Sequence, residues 1–496
     1  MLERFEQLQA IDSERDILYI ATCGDNRALS AIVRAAGVAC VDHFDDESYD
    51  LEELIRAGRE RAGDAVCSPL AAMYGDLQRA VVDFQRRRAL DDPMVRDKQR
   101  LLFVDLGGKG PCRLGQYCHV HKILAWREFG GGTAKDDKKD LPQGISLQFA
   151  VINENNGYDV GLSEWVKLRA FQGVVLHGVL DAMFFAGGAG CRTGEEHRRF
   201  ERAHQDLKQA CFDIMEHKTR PSAVAQWLMA GRRGRAPVGA IAKYYAYGLH
   251  RRDLQHELGR FADRWIRPRT PRQGVFKIHI EGEVYLRTTQ ALGIYRVLQD
   301  ALGYGGFVLG CTPVWSFFEY LIAISAIRHA VQAKEPSLDA VDSRTVRTHR
   351  QRRISTTRQG QRRSRILTTA FRRLIAAPLY RAGGVPMPEP ISEVLQTARE
   401  ILPNLHPQGE LVPYVGEALI HLCRGVDLFL NVAPEGCMVS TMGETLTPRI
   451  MAACPDATGR IQHLFSNDGE IDTELLVAAL LKGMGPVGYY RCAGGR

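Results

Sequence analysis

The chain has 496 residues, of which 45% are hydrophobic and 25% charged, and a formal net charge of +7. This length is too great for one ordinary core, so two or three domains are expected, and the composition is that of a soluble globular protein. No run approaches the roughly 20 uninterrupted apolar residues of a membrane span, and the acidic N-terminus lacks the basic and apolar regions of a signal peptide. The sequence therefore predicts a cytoplasmic protein with no membrane segment.

Strand and helix patterns alternate over residues 1–150. The apolar runs ILYIA and LLFVDL each precede a glycine-containing loop, and helical patterns such as DLEELIRAGRERAG and DLQRAVVDFQRRRAL lie between them. Alternation of this kind is typical of a parallel sheet covered by helices. Residues 1–150 are therefore predicted to form an N-terminal α/β lobe that carries Cys67 and Cys112.

The pattern changes over residues 151–270, where long segments have helical periodicity and few strand signals. This part is predicted to be a mostly helical middle domain, ended by a linker at residues 267–274, RPRTPRQG. VFKIHIEGEVYLR and VDLFLNVAPEGC then mark a second α/β lobe, 271–496, which carries Cys437 and a basic insertion at about 335–375. The expected fold class is α/β, with two parallel-sheet lobes, Rossmann-like or flavodoxin-like, and a helical middle section.

Three of the 12 cysteines lie in similar local sequences: Cys67 in AVCSP, Cys112 in KGPCR and Cys437 in APEGC. Each follows an apolar segment and has a neighbouring glycine or proline, so each is predicted on a loop at the carboxyl end of a strand. Ligands of open α/β sheets bind at that edge. Thiolates are the ligands of iron–sulfur clusters, but buried or loop thiols without a cluster explain the same pattern.

Several segments resemble the 2-hydroxyacyl-CoA dehydratase and benzoyl-CoA reductase family, especially its acyl-CoA dehydratase activase-related branch. GPCRLGQY at 110–117 is similar to the family's GPCRFGQY, and VDLFLNVAPEGCM at 426–438 is similar to VDGVVNVAPFGCM. GEVYLR at 282–287, PVW at 313–315 and LFSNDGEID at 464–472 are weaker likenesses in the same order along the chain. Cys67 lies where the family has Cys-x-Pro.

The resemblance implies a 4Fe-4S cluster on Cys67, Cys112 and Cys437, with Arg113 and Gln116 assisting. It also implies low-potential electron transfer, in anaerobic metabolism, to an acyl-CoA substrate that is dehydrated or reduced. A separate ATP-dependent activase would supply the electron, because the chain has no Walker-type phosphate loop. Two departures are Ser68, where the family has a larger apolar residue, and Glu435, which replaces an aromatic residue and would place a carboxylate near the cluster.

Two other functions remain open at this stage. The chain could hold the cluster as a non-catalytic electron-transfer or assembly partner of a larger reductase, or could be a cluster-free binding scaffold with a basic docking segment. The basic segment 343–375 has almost no aromatic residues, which argues against a single-stranded nucleic-acid platform. It is predicted to be a solvated insertion, with an acidic partner or a CoA phosphate as the alternative. The sequence does not determine the substrate or the oligomeric state.

Minor motifs have simpler explanations. A zinc site on Cys112, Cys118, His119 and His121 has no standard ligand spacing. GAGCRTG at 188–194 is predicted to be a turn that ends a helix and not a dinucleotide loop. Glu281 and Glu283, close to Arg287, would share one strand face as a general base or, more simply, as a solvated or loop-anchoring pair. Asp468 and Glu470 are predicted to form a turn.

Overall fold

The two α/β lobes predicted from the sequence are present in the computed structural model. It describes residues 11–21, 25–41, 50–64, 66–108, 112–129, 140–141, 145–152, 162, 164–217, 251–269, 274–334, 362, 365–402, 409–455, 460–466 and 472–482. Each lobe is built on one sheet, and the expected α/β class is therefore confirmed.

The first sheet has the strand order β2-β1-β3-β5-β4. Its strands are β1 (Asp16–Ile20), β2 (Ala39–Val41), β3 (Arg100–Leu106), β4 (Asp140–Leu141) and β5 (Ile145–Ile152). All pairings are parallel except that of the short edge strand β4 with β5. The middle of β3 is buried throughout, as expected for a parallel strand covered on both faces.

Helices cover this sheet and lead into the loops at its carboxyl edge. They are α1 (Arg27–Ala35), α2 (Leu51–Ala62), α3 (Ser68–Ala89), a 3₁₀ turn (Arg113–Gln116) and α4 (Tyr117–Phe129). Helices α2 and α3 pack against each other through glycines. A Cβ on Gly75 would lie 2.1 Å from the Leu54 carbonyl oxygen, and one on Gly58 would lie 1.9 Å from that of Ala71. The two helix backbones are therefore almost in contact.

From residue 164 to residue 265 the described residues are mostly helical, whereas residues 151–152 of the predicted middle domain end strand β5 of the first sheet. The helices are α5 (Glu164–Gly190), α6 (Gly194–Glu216) and α7 (Arg251–Trp265). Helix α5 ends at Gly190, and Thr193 Oγ1 then accepts a hydrogen bond of 3.2 Å from the Glu196 amide at the start of α6. The GAGCRTG segment is therefore a connection between two helices. Residues 270–273 of the predicted linker lie outside the described residues.

Helix α5 is long and apolar enough to cross a membrane by length and composition, which the sequence analysis did not recognise. In the structure, 61% of that apolar stretch is buried inside the protein. It packs against α1 and α6 on one side and against the second lobe on the other. Burial of this kind is typical of the core helix of a soluble protein.

The second sheet is wholly parallel, with the strand order β7-β6-β8-β9. Its strands are β6 (Phe276–Gly282), β7 (Phe307–Cys311), β8 (Leu428–Ala433) and β9 (Ile461–Phe465). Numbered within each lobe, the parallel strands of both sheets follow the order 2-1-3-4, which is the flavodoxin-like one. The two lobes therefore share a topology, although the sequence shows no repeat of short period.

The helices of the second lobe are α8 (Val284–Leu302), α9 (Val314–Lys334), α10 (Ala377–Gly383), α11 (Ile391–Ala398), α12 (Leu411–Cys423) and α13 (Met438–Ala453). A disulfide joins Cys423, at the end of α12, to Cys454, just after α13, with the two Cα atoms 5.9 Å apart. This disulfide was not predicted, because the cysteines were expected to be free.

Most of the basic insertion, including residues 335–361, lies outside the described residues. Its C-terminal end is described and differs from the predicted solvated segment. Arg372 is buried, and its Nη1 donates a hydrogen bond of 2.9 Å to Glu319 on α9. Its guanidinium also lies over the Trp315 ring, 5.4 Å from the ring centroid. This arginine therefore stabilises the lobe and is not available to a partner.

Candidate functional site

A cavity of about 1010 Å³ extends between the two lobes. Its wall includes residues that follow three parallel strands at their carboxyl ends: Gly107 after β3, Glu283 after β6 and Pro434 after β8. In both sheets the second strand lies on one side of the first strand and the third strand lies on the other side. The direction in which strands are added therefore reverses between the first and third strands. Ligands of open α/β sheets bind at such switch points, and here the two switch points border the same space.

Cys67, Cys112 and Cys437 all border this cavity, although they come from distant parts of the sequence. Each occupies the N-cap position of a helix: Cys67 of α3, Cys112 of the 3₁₀ turn that leads into α4, and Cys437 of α13. The unpaired amides and the positive end of a helix dipole favour negative charge at such positions. The Leu114 amide donates to Cys112 Sγ at 3.5 Å.

Two of the three cysteines follow a strand, as predicted, and the third does not. Cys112 follows β3 and Cys437 follows β8, as predicted. Cys67 follows helix α2, so its predicted place at the end of a strand is wrong. Val66, just before Cys67, lies in a short connection between two packed helices. The close approach of Gly58 to Ala71 and of Gly75 to Leu54 holds α2 against α3 and so places Cys67 at the cavity instead.

The loop before Cys437 explains its local sequence. Gly436 has φ +67°, a conformation that favours glycine, and the Cys437 amide donates to the Pro434 carbonyl at 3.1 Å. Glu435 is exposed and does not border the cavity, so the carboxylate expected near a cluster from this position is absent from the cavity wall.

The two assisting residues proposed from the sequence have different positions. Arg113 borders the cavity, and its Nη2 would lie 3.9 Å from a Cβ on Gly436. Its charge also lowers the pKa of the Cys67 thiol, although burial outweighs it. Gln116 is exposed and does not border the cavity. The structure therefore brings Arg113, but not Gln116, to the three cysteines.

Burial raises the pKa of all three thiols. It raises the pKa of Cys112 to about 11 and that of Cys437 to about 12, and it raises the pKa of Cys67 as well. Cys112 interacts electrostatically with both other cysteines, which shows that the three are neighbours. Free thiols in this setting stay protonated near neutral pH, so they are poor nucleophiles. A bound metal centre would deprotonate them.

Tyr117 is a neighbour that the sequence analysis did not select. Its hydroxyl lies 2.9 Å from Cys67 Sγ, and its side chain is buried and borders the cavity. Burial raises the pKa of Tyr117 well above its usual value, so the hydroxyl keeps its proton and can donate to a thiolate. Tyr117 is the last residue of GPCRLGQY, and this position in the motif could have identified it from the sequence.

Two carboxylates complete the wall beside the cysteines. Glu283 caps α8, accepting hydrogen bonds from the amides of Tyr285 (3.0 Å) and Leu286 (2.9 Å). Glu410 precedes α12 and lies 3.7 Å from Arg287 Nη2. Burial raises the pKa of Glu283, and raises that of Glu410 to about 8. Glu281 is buried in β6 and bonded to Arg287, so the predicted solvated pair of Glu281 and Glu283 does not exist.

The shared strand order relates Glu410 to Cys67. Cys67 begins the helix that precedes the third strand of the first sheet, and Glu410 begins the helix that precedes the third strand of the second. Cys112 and Cys437 are related in the same way, since each begins the helix after that third strand. No sequence signal marked Glu410, because this relation appears only in three dimensions.

The zinc alternative is not supported by the position of His121. Its Nδ1 lies 2.8 Å from Asp105 and its Nε2 lies 3.0 Å from the Leu70 carbonyl, and all of it is buried. Both ring nitrogens are therefore committed to joining α4 to β3 and α3. Cys118 is also buried and does not border the cavity. Asp468 and Glu470 lie outside the described residues.

Within the described part of the chain, no three His, Cys, Asp or Glu side chains converge closely enough to hold one metal ion. A cubane cluster has a different requirement, because each thiolate binds a different iron and the sulfurs stand around the cluster. Three thiols on one cavity wall, each at a helix N-terminus, fit that donor set. Backbone amides and Arg113 supply the positive potential that an anionic cluster needs.

No protein-family model, no curated protein and no solved structure matches this chain. The likeness of GPCRLGQY and NVAPEGCM to the dehydratase-related family therefore stays a prediction.

Proposed function

We propose that this protein binds a 4Fe-4S cluster on Cys67, Cys112 and Cys437 and uses it for low-potential electron transfer to an acyl-CoA-type substrate. The observation that carries the proposal is the meeting of three sequence-distant, helix-capping cysteines on the wall of one cavity between two lobes. The proposal places the protein in the cytoplasm, with a separate ATP-dependent activase as the electron donor.

The cluster would supply one electron at a time, and three protein ligands would leave one iron open to a substrate oxygen. The chain's own residues would hold and tune that centre. The Tyr117 hydroxyl would donate to the Cys67 sulfur, and Arg113 would offset the negative charge of the cluster. Glu283 and Glu410 also border the cavity, and both add to the effect of burial in raising the pKa of the nearby Cys112 thiol, so these carboxyl groups would be available to hydrogen-bond a substrate beside the cluster.

The size of the cavity favours catalysis over simple electron transfer. Small-molecule sites are typically apolar cavities of about 300–1,000 Å³ with a few polar groups, and this one has a volume of about 1010 Å³. Its wall includes Met73, Leu114, Leu292 and Phe317. A carrier or assembly partner has no need of such a space beside its cluster, whereas an enzyme that excludes water from a reactive substrate does.

Anaerobic purification with iron and sulfide determination tests the cluster. Wild type is expected to hold about four irons per chain, and Cys67→Ser, Cys112→Ser and Cys437→Ser are each expected to lose most of them. Cys118→Ser is the matched control, because Cys118 is a buried neighbour of Cys112 that does not border the cavity. An iron-free wild type would leave only the binding-scaffold alternative.

Turnover separates the remaining two functions. Iron-loaded protein that is reduced by a partner activase and then converts a CoA thioester is an enzyme of the proposed kind. Iron-loaded protein that passes its electron to another reductase component, without converting any thioester, is an electron-transfer partner.

A further inference from the structure

The wall of the cavity formed by α5 carries a carboxylate that the proposed cluster site does not use. Asp181 lies in the middle of this apolar helix and borders the cavity, where its side chain is exposed. No hydrogen bond or ion pair joins it to any residue in the described part of the chain. A carboxylate that faces a mostly apolar cavity without a protein partner is available to bind a ligand there.

The neighbouring cations are committed to a different carboxylate. Asp25 accepts from Arg27 Nη2 at 2.7 Å and from Lys208 Nζ at 3.0 Å. Burial alone would raise the pKa of Asp25, but Lys208, His177 and Arg27 together hold it below its usual value. Asp25 is therefore a stable counter-ion, and Asp181 feels Lys208 only as a more distant charge.

Two of the other polar groups on this wall, Asn26 and His204, can accept hydrogen bonds, whereas the neutral His177 accepts from the Ala28 amide at Nε2 (3.3 Å) and so has a donor at Nδ1. Asn26 is only 5% exposed and borders the cavity; its Nδ2 donates to the Ile20 carbonyl at 3.2 Å, and its Oδ1 has no partner among the described residues. His204 Nε2 donates to the Leu180 carbonyl at 2.9 Å, which leaves Nδ1 as an acceptor. Burial lowers the pKa of His204 to about 3, so the ring is neutral at pH 7.

These acceptors lie in a mostly apolar space. Leu29, Val174, Phe184 and Phe185 line the cavity around Asp181 and Asn26. We propose that this wall is the subsite for the hydrogen-bond-donating end, a hydroxyl or ammonium group, of a ligand with an apolar body, and that the Asp181 carboxylate is its principal acceptor. The identification of that ligand as the substrate rests on the function proposed above, and would make it an acyl or aryl chain with a polar end remote from the thioester.

The ionisation of Asp181 gives the subsite a pH dependence. Burial raises the pKa of Asp181 to about 6, and Lys208 opposes the shift while Asp25 adds to it. The titratable groups around it are His177 on its own helix, His204 and Lys208 on α6, Asp25 and Arg27 at the start of α1, Cys311 at the end of β7, and Tyr380 on α10. Both histidines are neutral near pH 7, since burial lowers their pKa values.

Calorimetric titration of the full-length, anaerobically purified protein with butylbenzene, phenylbutanol and phenylbutylamine tests the subsite. The alcohol and the amine are expected to bind about tenfold or more tightly than the hydrocarbon, as for a hydrogen bond to a charged group. Asp181→Leu should abolish that difference while leaving butylbenzene binding equal or tighter. The amine should bind more weakly as the pH falls below about 6, because Asp181 is then protonated.

Two controls keep the result decisive. Asp206→Asn removes an exposed carboxylate from α6 and should leave all three affinities unchanged. Asp181→Leu should unfold at a urea concentration close to that of wild type, because no hydrogen bond or ion pair in the described part of the chain depends on the Asp181 carboxylate. Equal binding of the three compounds, a preference that survives Asp181→Leu, or no binding at all would each overturn the subsite. Iron content is measured on the same samples, so a result that contradicts the cluster can be distinguished from a result that contradicts the subsite.

Discussion

Arg287 is a buried arginine near the start of α8. It donates to Glu281 and to the Gly282 carbonyl (3.1 Å), and lies 3.7 Å from Glu410. Burial alone would lower the pKa of Arg287, but the carboxyl groups around it raise it above its usual value. One guanidinium therefore compensates the buried Glu281 in β6 and lies near Glu410, whose pKa burial raises to about 8.

Removing that compensation should be costly. Arg287→Met leaves Glu281 buried without its cation and is expected to reduce the free energy of unfolding by about 3–5 kcal/mol. The double variant Arg287→Met/Glu281→Gln should recover part of the loss, because the stranded carboxylate is gone. Urea denaturation of wild type, both single variants and the double variant measures this. A loss below about 1 kcal/mol for Arg287→Met would show that the charges are solvated.

Four of the residues that the sequence predicted to hold or assist a cluster lie in the cavity wall, whereas other residues of that wall were not predicted. Cys67, Cys112, Cys437 and Arg113 border the cavity, and the motifs around them were the reason for choosing them. Asp181 could not be chosen, because a single acid in an apolar helical pattern gives no sign of which helix face meets a cavity. Its importance depends on α1, α6 and β7, which meet α5 only in the folded chain.

Helix α3 shows how an element places a functional residue. It is one helix of 22 residues, whereas the sequence pattern predicted a helix only around DLQRAVVDFQRRRAL and placed Cys67 on a loop. Pro69 fits the first turn of this helix, where no amide partner is needed, so the apparent loop sequence is a helix start. Among the strands, β5 was not predicted, although its first residues, ISLQF, alternate between apolar and polar as a half-buried strand does.

The close contact between α2 and α3 can be tested through Gly75. Gly75→Ala would place a Cβ 2.1 Å from the Leu54 carbonyl oxygen, so the helices must separate. We expect a loss of about 1–3 kcal/mol in stability and a lower iron content, because Cys67 begins the displaced helix. Gly259→Ala on α7 is the control: nothing lies within 4 Å of its Cβ position, and a gain of about 0.4–1 kcal/mol is expected. The stability of both variants is measured by urea denaturation, and their iron content is determined on the same preparations.

The whole molecule places one site between two lobes of the same topology. The alternating strand and helix patterns were enough to predict two α/β lobes, but not that their switch points border one cavity. Lobe placement depends on long-range packing around α5, and single-sequence patterns contain no information on it. The sequence also gave no indication of the Cys423–Cys454 disulfide, since spacing does not determine pairing.

A cluster held by both lobes should stabilise the whole chain. Cys67 and Cys112 belong to the first lobe and Cys437 to the second, so binding the cluster favours only the assembled form. Anaerobic calorimetry is expected to show a lower unfolding temperature after iron is removed with a chelator. The Cys437→Ser variant should show little change on the same treatment. Identical unfolding temperatures for iron-loaded and iron-free wild type would mean that the lobes associate without the metal centre.

The position of α5 has a consequence for ligand length. Since a helix rises about 5.4 Å per turn, its cavity-lining residues Val174, Ala182 and Phe185 lie at successive distances along the ligand space. The length of chain that the cavity accepts would then depend on the size of these side chains, so exchanging small and large residues along one helix would change the preferred ligand while both sheets stay as they are.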